Sequence, residues 1–223
     1  MHKEYIDTLI AEFQLNANPH IAEGQKAYMR HQFEFLGISS PKRKEIQKAF
    51  FAKSYMPDKE YMPLIAKELW KRQEREFQYF TQEFVFRYRK HFERKDIQLF
   101  EHLITHKSWW DTVDFMAQKL VGNYMLLFPE QRQKMSDKWI ASGNMWLQRT
   151  AILFQLKYKQ ETDTALLAST IRQLCHTDEF FLNKAIGWAL REYGKNHPDW
   201  VLDFAEKTVL HPLSRREGLR LIR

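Results

Sequence analysis

Four tyrosines, Tyr88, Tyr124, Tyr158 and Tyr193, stand 36, 34 and 35 residues apart, and ten residues before each comes a polar residue: Gln78, Asp114, Gln148 and Asn183. Each tyrosine falls near the end of a long segment with helical periodicity, and each polar residue interrupts a stretch that otherwise reads as buried. A period of about 35 residues with two helices per unit marks a helical-repeat array, because one helix pair cannot bury its apolar face alone and must stack on the next. The expectation is therefore an all-α, HEAT-like helical-repeat solenoid with a concave basic face, read as a single domain over 1–223. Seven glycines and seven prolines are too few for a protein built on tight β turns, whereas Leu, Ala, Glu, Lys, Arg and Gln abound. Helices are predicted at 58–70, 74–91, 95–106, 109–127, 129–141, 144–158, 162–175, 178–194 and 198–209, with a last one from about 212.

Ahead of these, Tyr5, Leu9, Ile10 and Phe13 recur at helical spacing until Asn18-Pro19 breaks the pattern. A second helix is predicted through Ala27, Tyr28 and Phe35 to Gly37. Ser40-Pro41 reads as the start of a third, with a capping residue followed by proline at the first helical position. That helix opens on Lys42, Arg43 and Lys44. Three cations at the positive end of a helix disfavour the helix itself, but exposed amides with basic side chains suit a phosphate. An ordinary solvated face explains the same residues.

The chain carries 35 basic and 28 acidic residues, a formal charge of +7 with a pI near 9.3. That excess favours polyanions, nucleic acid before anionic membrane. Cys175 is the only cysteine, so no intrachain disulfide and no cysteine metal site can form, and a reducing, cytoplasmic setting follows. The first residues lack the continuous apolar core of a signal peptide. No apolar run of about 18 residues is present to span a membrane.

The stretch Lys107 to Asp114, KSWWDTVD, places two tryptophans and two carboxylates within six residues. Trp110 and Asp114 are four apart and share a helix face, while Trp109 points roughly a quarter-turn away. One tryptophan can serve the core while the other accompanies a carboxylate. An aromatic face beside an anion on a cationic protein suits a cationic group attached to an anionic polymer, such as an alkylated purine in DNA. Two core tryptophans and two solvated aspartates remain the plainer account of this stretch. Further on, Lys184, Trp188, Arg191 and Lys195 form one stripe at spacings of three or four, a surface suited to a nucleic-acid strand if Trp188 is not core. Arg149 sits in the apolar segment NMWLQRTAIL and needs a partner if buried, either a carboxylate across the repeat or a phosphate. His102 and His106 are four apart but have no evident third ligand, so a metal there is disfavoured. Cys175 and His176 are adjacent and do not face each other on a helix, which argues against a nucleophile pair.

KSWWDTVD, WLQRTAILFQLKYK and FFLNKAIGWALREYGK closely resemble the bacterial DNA alkylation repair family of HEAT-like-repeat DNA glycosylases, the AlkD family. The likeness runs over nearly the whole chain, from MRHQFEFLGISSPKR to LSRREGLRLIR. It implies excision of purines alkylated at ring nitrogen 3 or 7 from duplex DNA, by a monofunctional glycosylase that needs no metal or cofactor and no base flipping. By the same resemblance Asp114 is the catalytic carboxylate, Trp110 and Trp188 contact the lesion-bearing nucleotide, and Arg149 and Tyr28 line the DNA cleft. Lys42, Arg43, Lys157, Lys184 and Arg191 are further candidates for DNA contact, and Arg75 is weighed with them. The protein is expected to act as a monomer in the bacterial cytoplasm, on the nucleoid when bound to DNA. A non-catalytic helical-repeat protein that binds distorted or branched DNA is the alternative, and a protein-binding scaffold is a third.

Overall fold

A computed structural model describes residues 2–222. Apart from one isolated bridge between Glu34 and Glu74, the described residues form helices and turns. They pack as two compact units, one up to Phe92 and one from Glu93 onward. No helix among the described residues is long and apolar enough to cross a membrane.

The first unit holds α1 (His2–Leu15), α2 (Pro19–Tyr28), α3 (Ser40–Phe50), α4 (Met62–Trp70) and α5 (Arg75–Arg87). α1 buries Tyr5, Ile6, Leu9 and Phe13, the face set by its 3.6-residue period. Tyr5, Phe13, Phe50, Phe80 and Phe84 form a continuous aromatic core with ring centroids 5.5 to 6.3 Å from the next. α2 starts where the sequence indicates, since the Asn18 side chain accepts from the backbone N–H of His20 and Ile21 and Pro19 needs no donor. It ends at Tyr28, nine residues before the predicted Gly37. The reason is tertiary: Arg30 and His31 take positive φ, and the buried Glu76 carboxylate of α5 accepts the N–H groups of Leu36, Gly37 and Ile38 at 2.9 to 3.1 Å. Burial pushes the Glu76 carboxyl above its usual range, and those three amides pull it back. Gly37 is required at φ +84, because a Cβ there would lie 1.9 Å from the Asn18 carbonyl oxygen. The cap of α3 is Ser39 rather than Ser40, its hydroxyl accepting from Lys42 N–H at 3.4 Å.

The second unit begins with α6 (Asp96–Thr105). α7 (Trp110–Phe115) then continues through a π-helical segment (Met116–Val121) into α8 (Gly122–Leu127). After it come α9 (Arg132–Ala141), α10 (Met145–Leu153), α11 (Thr164–Leu174), α12 (Phe180–Gly194), α13 (Pro198–Lys207) and α14 (Pro212–Gly218). Their alternation gives the two helices per repeat that the spacing predicts. The core of this unit is supplied by α10 to α13, with Ile152, Leu153, Leu167, Ile171, Ile186, Leu190 and Phe204 all buried.

The repeated residues turn out to be joints between and within repeats. Tyr88 donates its hydroxyl to the Pro57 carbonyl at 2.6 Å, Tyr124 to Arg94 at 3.2 Å and Tyr158 to Gly122 at 2.5 Å, each 30 to 36 residues back. Burial raises all three phenols, so they remain donors. Tyr193 instead stacks on His197 at 4.5 Å. At the polar positions, Gln78 donates to the carbonyls of Trp70 and Arg72, Gln148 to that of Ile140 and Asn183 to that of Thr177. Each amide thus ties the second helix of a repeat to the end of the first.

Candidate functional site

Asp114 is the one member of the polar series that cannot make this bond, because a carboxylate has no hydrogen to donate. It turns to the next repeat. Arg149 Nε donates to Asp114 Oδ1 at 2.7 Å and Nη2 to Oδ2 at 2.8 Å, a two-pronged pair that fixes both planes. The third guanidinium nitrogen, Nη1, donates to the main-chain carbonyl of Phe181. One buried arginine on α10 therefore links α7 to the start of α12. The side chains of Arg149 and Asp114 are 6% and 16% exposed, so the carboxylate keeps a route to solvent while its partner does not.

Three rings support this pair. Trp109, the residue before α7, lies 5.9 Å from Trp146 and 5.3 Å from Phe181, and Trp146 lies 5.1 Å from Phe181. Phe181 thus offers its carbonyl to Arg149 and its ring to both tryptophans. The turn ahead of α7 is held by Ser108, whose hydroxyl donates to the Ile104 carbonyl at 2.6 Å, and by Lys107 at φ 51, uncommon for a residue with a side chain. Directly after α7 the helix widens into its π segment, a distortion that in helices is often found at functional sites. Trp110 is half-buried one helical turn before Asp114, on the same face. Trp188, on α12, is half-buried and packs against the core of the unit.

The candidate cations mostly meet carboxylates one repeat away. Lys184 and Arg191 both reach Glu217 on α14, at 3.2 and 2.6 Å, and hold its carboxyl below the usual range, Arg191 most strongly. α14 can approach so closely because Gly187 has no side chain, since a Cβ there would lie 2.6 Å from that of Glu217. Lys157 and Lys195 reach Glu192 at 2.7 and 2.6 Å. Burial raises the Glu192 carboxyl, but the two ammonium groups together bring it below its usual range.

The first unit carries the rest. Lys42 is exposed, 3.3 Å from Glu45. Arg43 is buried, donates to Gln47 at 3.0 Å and Glu83 at 3.4 Å, and lies over the Tyr79 ring at 4.8 Å. Burial lowers its affinity for its proton while Glu83 restores part of it. Arg75 is fully buried over the Phe33 ring at 3.8 Å. Tyr28 is 70% exposed at the end of α2. The structure thus brings Asp114, Trp110, Arg149 and Trp188 onto α7, α10 and α12 of one unit, and puts Tyr28, Lys42 and Arg43 in the other. Sequence reasoning did not single out Phe181, Trp146, Glu192 or Glu217. The carboxylates had a readable signal: Lys157 and Glu192 are 35 residues apart, as are Asp114 and Arg149. Among the described residues no group of three or more His, Cys, Asp or Glu is placed to hold a metal ion.

Residues 9–222 match the family of DNA alkylation repair enzymes. Comparison with curated proteins gives no match. Among solved structures, the chain is similar to one from Enterococcus faecalis described as a predicted DNA alkylation repair enzyme, with 33% sequence identity and a TM-score of 0.87. The likeness covers 93% of this chain and 97% of that one.

Proposed function

The chain belongs to the family of DNA alkylation repair enzymes, and from that membership we propose that it is a monofunctional DNA glycosylase of the AlkD type. Its substrates on this reading are purines made cationic by alkylation at ring nitrogen 3 or 7, bulky adducts included, in duplex DNA. The observation that carries the proposal is Asp114. It is the only carboxylate in the repeated polar series, and a buried arginine holds both its oxygens.

The chemistry asks little else of the protein. An alkylated ring nitrogen gives the base a positive charge, so when the bond from C1′ to the base breaks, its electron pair neutralises the leaving base and no general acid is needed. What remains is the sugar's oxocarbenium character and the delivery of water to C1′. A carboxylate fixed beside C1′ stabilises that cation and can orient the water or take its proton. Arg149 is a positioning residue, since it holds Asp114 in one orientation before substrate arrives and so removes reorganisation from the barrier. Trp110 and Trp188 face the cationic nucleotide. Such a contact stabilises a cation by roughly 0.5 to 2 kcal/mol, at most about thirtyfold in rate. Asp114 accordingly dominates.

Phosphate contacts fall to Lys157, Lys184 and Arg191 in the second unit and to Tyr28 and Lys42 in the first, with Arg43 reaching the strand only if it exchanges its buried partners. The solvent-facing ion pairs of the lysines contribute about 0 to 1 kcal/mol each, little enough for a phosphate to replace the carboxylate. The protein works on this reading as a monomer in the bacterial cytoplasm. The test is release of 7-methylguanine and 3-methyladenine from methylated duplex DNA above the spontaneous rate. Salt-sensitive DNA binding with no such release would replace the glycosylase reading by that of a non-catalytic binder of distorted DNA.

A further inference from the structure

Most tryptophans of the second unit have partners for their rings or their N–H groups. Trp139 donates its N–H to Glu101 at 2.7 Å, Trp200 stacks on Phe204 at 5.2 Å, and Trp109 and Trp146 pack on Phe181. Trp188 is half-buried against the core of the unit. Yet among the described residues no ring stacks on its indole, no cation lies over it and nothing accepts its N–H. The missing cation needs a reason. Arg191 follows three residues later on α12, and helical side chains lean back over the preceding turn, here over Gly187 and Trp188. Phe86 and Arg89 have the same spacing at the end of α5, and there the guanidinium lies over the ring at 4.5 Å. Tryptophan attracts a cation more strongly than phenylalanine does, so an unheld Arg191 would cover the indole. It is drawn aside by Glu217 on α14, whose Oε2 takes a hydrogen bond from its Nη1 at 2.6 Å. Lys184, four residues before Trp188, meets the other oxygen, Oε1, at 3.2 Å, so the carboxylate is held from both sides. Gly187 permits this reach, because a Cβ there would lie 2.6 Å from that of Glu217.

We propose that Glu217 is a positioning residue that keeps Arg191 off the Trp188 indole and so reserves that face for a planar aromatic cation. An indole already covered by a guanidinium has no face left to offer, and the uncompensated charge repels a second cation. With Arg191 bound to a carboxylate, the face stays open and the local positive charge is reduced. Glu217 thereby makes Trp188 selective for a cationic ring over a neutral ring of the same shape. Only the identification of that cation with an alkylated purine rests on the glycosylase reading above.

The test uses two quenchers of tryptophan fluorescence, neutral nicotinamide and its N-methylated cation, which differ by the same change that alkylation makes in a purine. Quenching lost in Trp188→Phe is assigned to Trp188. In the unaltered chain that share should favour the cation over the neutral ring. Glu217→Gln, a side chain of the same size, should lower this preference by about 2- to 30-fold, the strength of one cation contact with an indole. Gly187→Ala pushes Glu217 away from Arg191 with no change of charge and should lower it in the same sense. Adding Arg191→Met to Glu217→Gln should restore it. The proposal is overturned if the unaltered chain shows no preference at Trp188, or if Glu217→Gln leaves the preference untouched. It is equally overturned if both quenchers change alike, as when α14 merely loosens, or if Arg191→Met does not reverse the loss. Failure of the unaltered chain to release methylated purines sinks the glycosylase reading alone, since quenching needs no DNA.

Discussion

Removing either partner of the Asp114 and Arg149 pair should cost far more than removing both. The side chains of Arg149 and Asp114 are 6% and 16% exposed, and three of the guanidinium's hydrogen bonds end on Asp114 and Phe181. Arg149→Met leaves the carboxylate unmatched, and Asp114→Leu leaves a buried cation with one carbonyl. Breaking a buried pair from one side costs about 3 to 5 kcal/mol. For a chain of this length each 1 kcal/mol lowers Tm by about 2 to 4 °C, so each single variant should melt about 6 to 20 °C lower. The double variant replaces the pair by apolar groups of comparable size, a change that is often nearly neutral. It should therefore recover most of that loss, so the coupling in a double-mutant cycle should be at least as large as a single loss, about 3 kcal/mol or more. Calorimetry on the four proteins measures it. Additive losses would refute the claim that the two side chains are organised around each other, and with it the role of Arg149 as the group that orients Asp114.

Other parts of the account are open to simpler checks. Tyr88→Phe and Tyr158→Phe each remove a hydroxyl bond to a backbone carbonyl about one repeat back and should destabilise by about 0.5 to 1.5 kcal/mol in urea unfolding, whereas unchanged midpoints would mean the hydroxyls do not join the repeats. Gly37→Ala should destabilise strongly, by more than the roughly 1 kcal/mol typical of point changes, because the backbone is at φ +84 and the Cβ meets a carbonyl at 1.9 Å; a variant with an unaltered Tm would contradict the seating of this turn on Glu76. Glu217 and Glu192 have carboxyls held below their usual value of 4.5, so the stability they contribute is present above about pH 4.5 and is lost as pH falls through their lower folded values. Unfolding followed from pH 6 to 3 should show that decline, and Glu217→Gln should flatten it; an identical slope in the variant would rule out Glu217 as a source.

Much of the fold is legible because its repeats are marked by residues with one job each. The tyrosines at a 35-residue spacing can be read in the sequence because three of the four, Tyr88, Tyr124 and Tyr158, reach a main-chain carbonyl about one repeat back, and the amides before them tie each helix pair in the same way. Asp114 stands out for the same reason, as a residue that cannot do what its siblings do. Local signals also set the start of α2, where Asn18 and Pro19 act within one turn. What the sequence hides is decided at a distance. α2 stops at Tyr28 because Glu76, some 40 residues on, captures the following backbone, and nothing between Tyr28 and Gly37 announces it. The run Lys42, Arg43, Lys44 reads as one basic face, yet Arg43 turns inward to Glu83 and Gln47 while Lys42 stays outside. The Phe181 carbonyl was invisible because a main-chain group carries no residue signature, although acidic partners at repeat spacing, such as Glu192 for Lys157, could have been sought.

The central claim is that Asp114 performs the chemistry and does more than pin Arg149. Single-turnover release of 7-methylguanine from methylated duplex DNA, with DNA affinity measured on the same preparations, tests it for the unaltered chain and for Asp114→Asn, which keeps the shape and an acceptor oxygen for Arg149. The account predicts that the variant binds DNA within a few-fold of the unaltered chain while release falls by about 100-fold or more, as when a group that stabilises developing charge is removed. Release by Asp114→Asn at the rate of the unaltered chain, with binding intact, would contradict it.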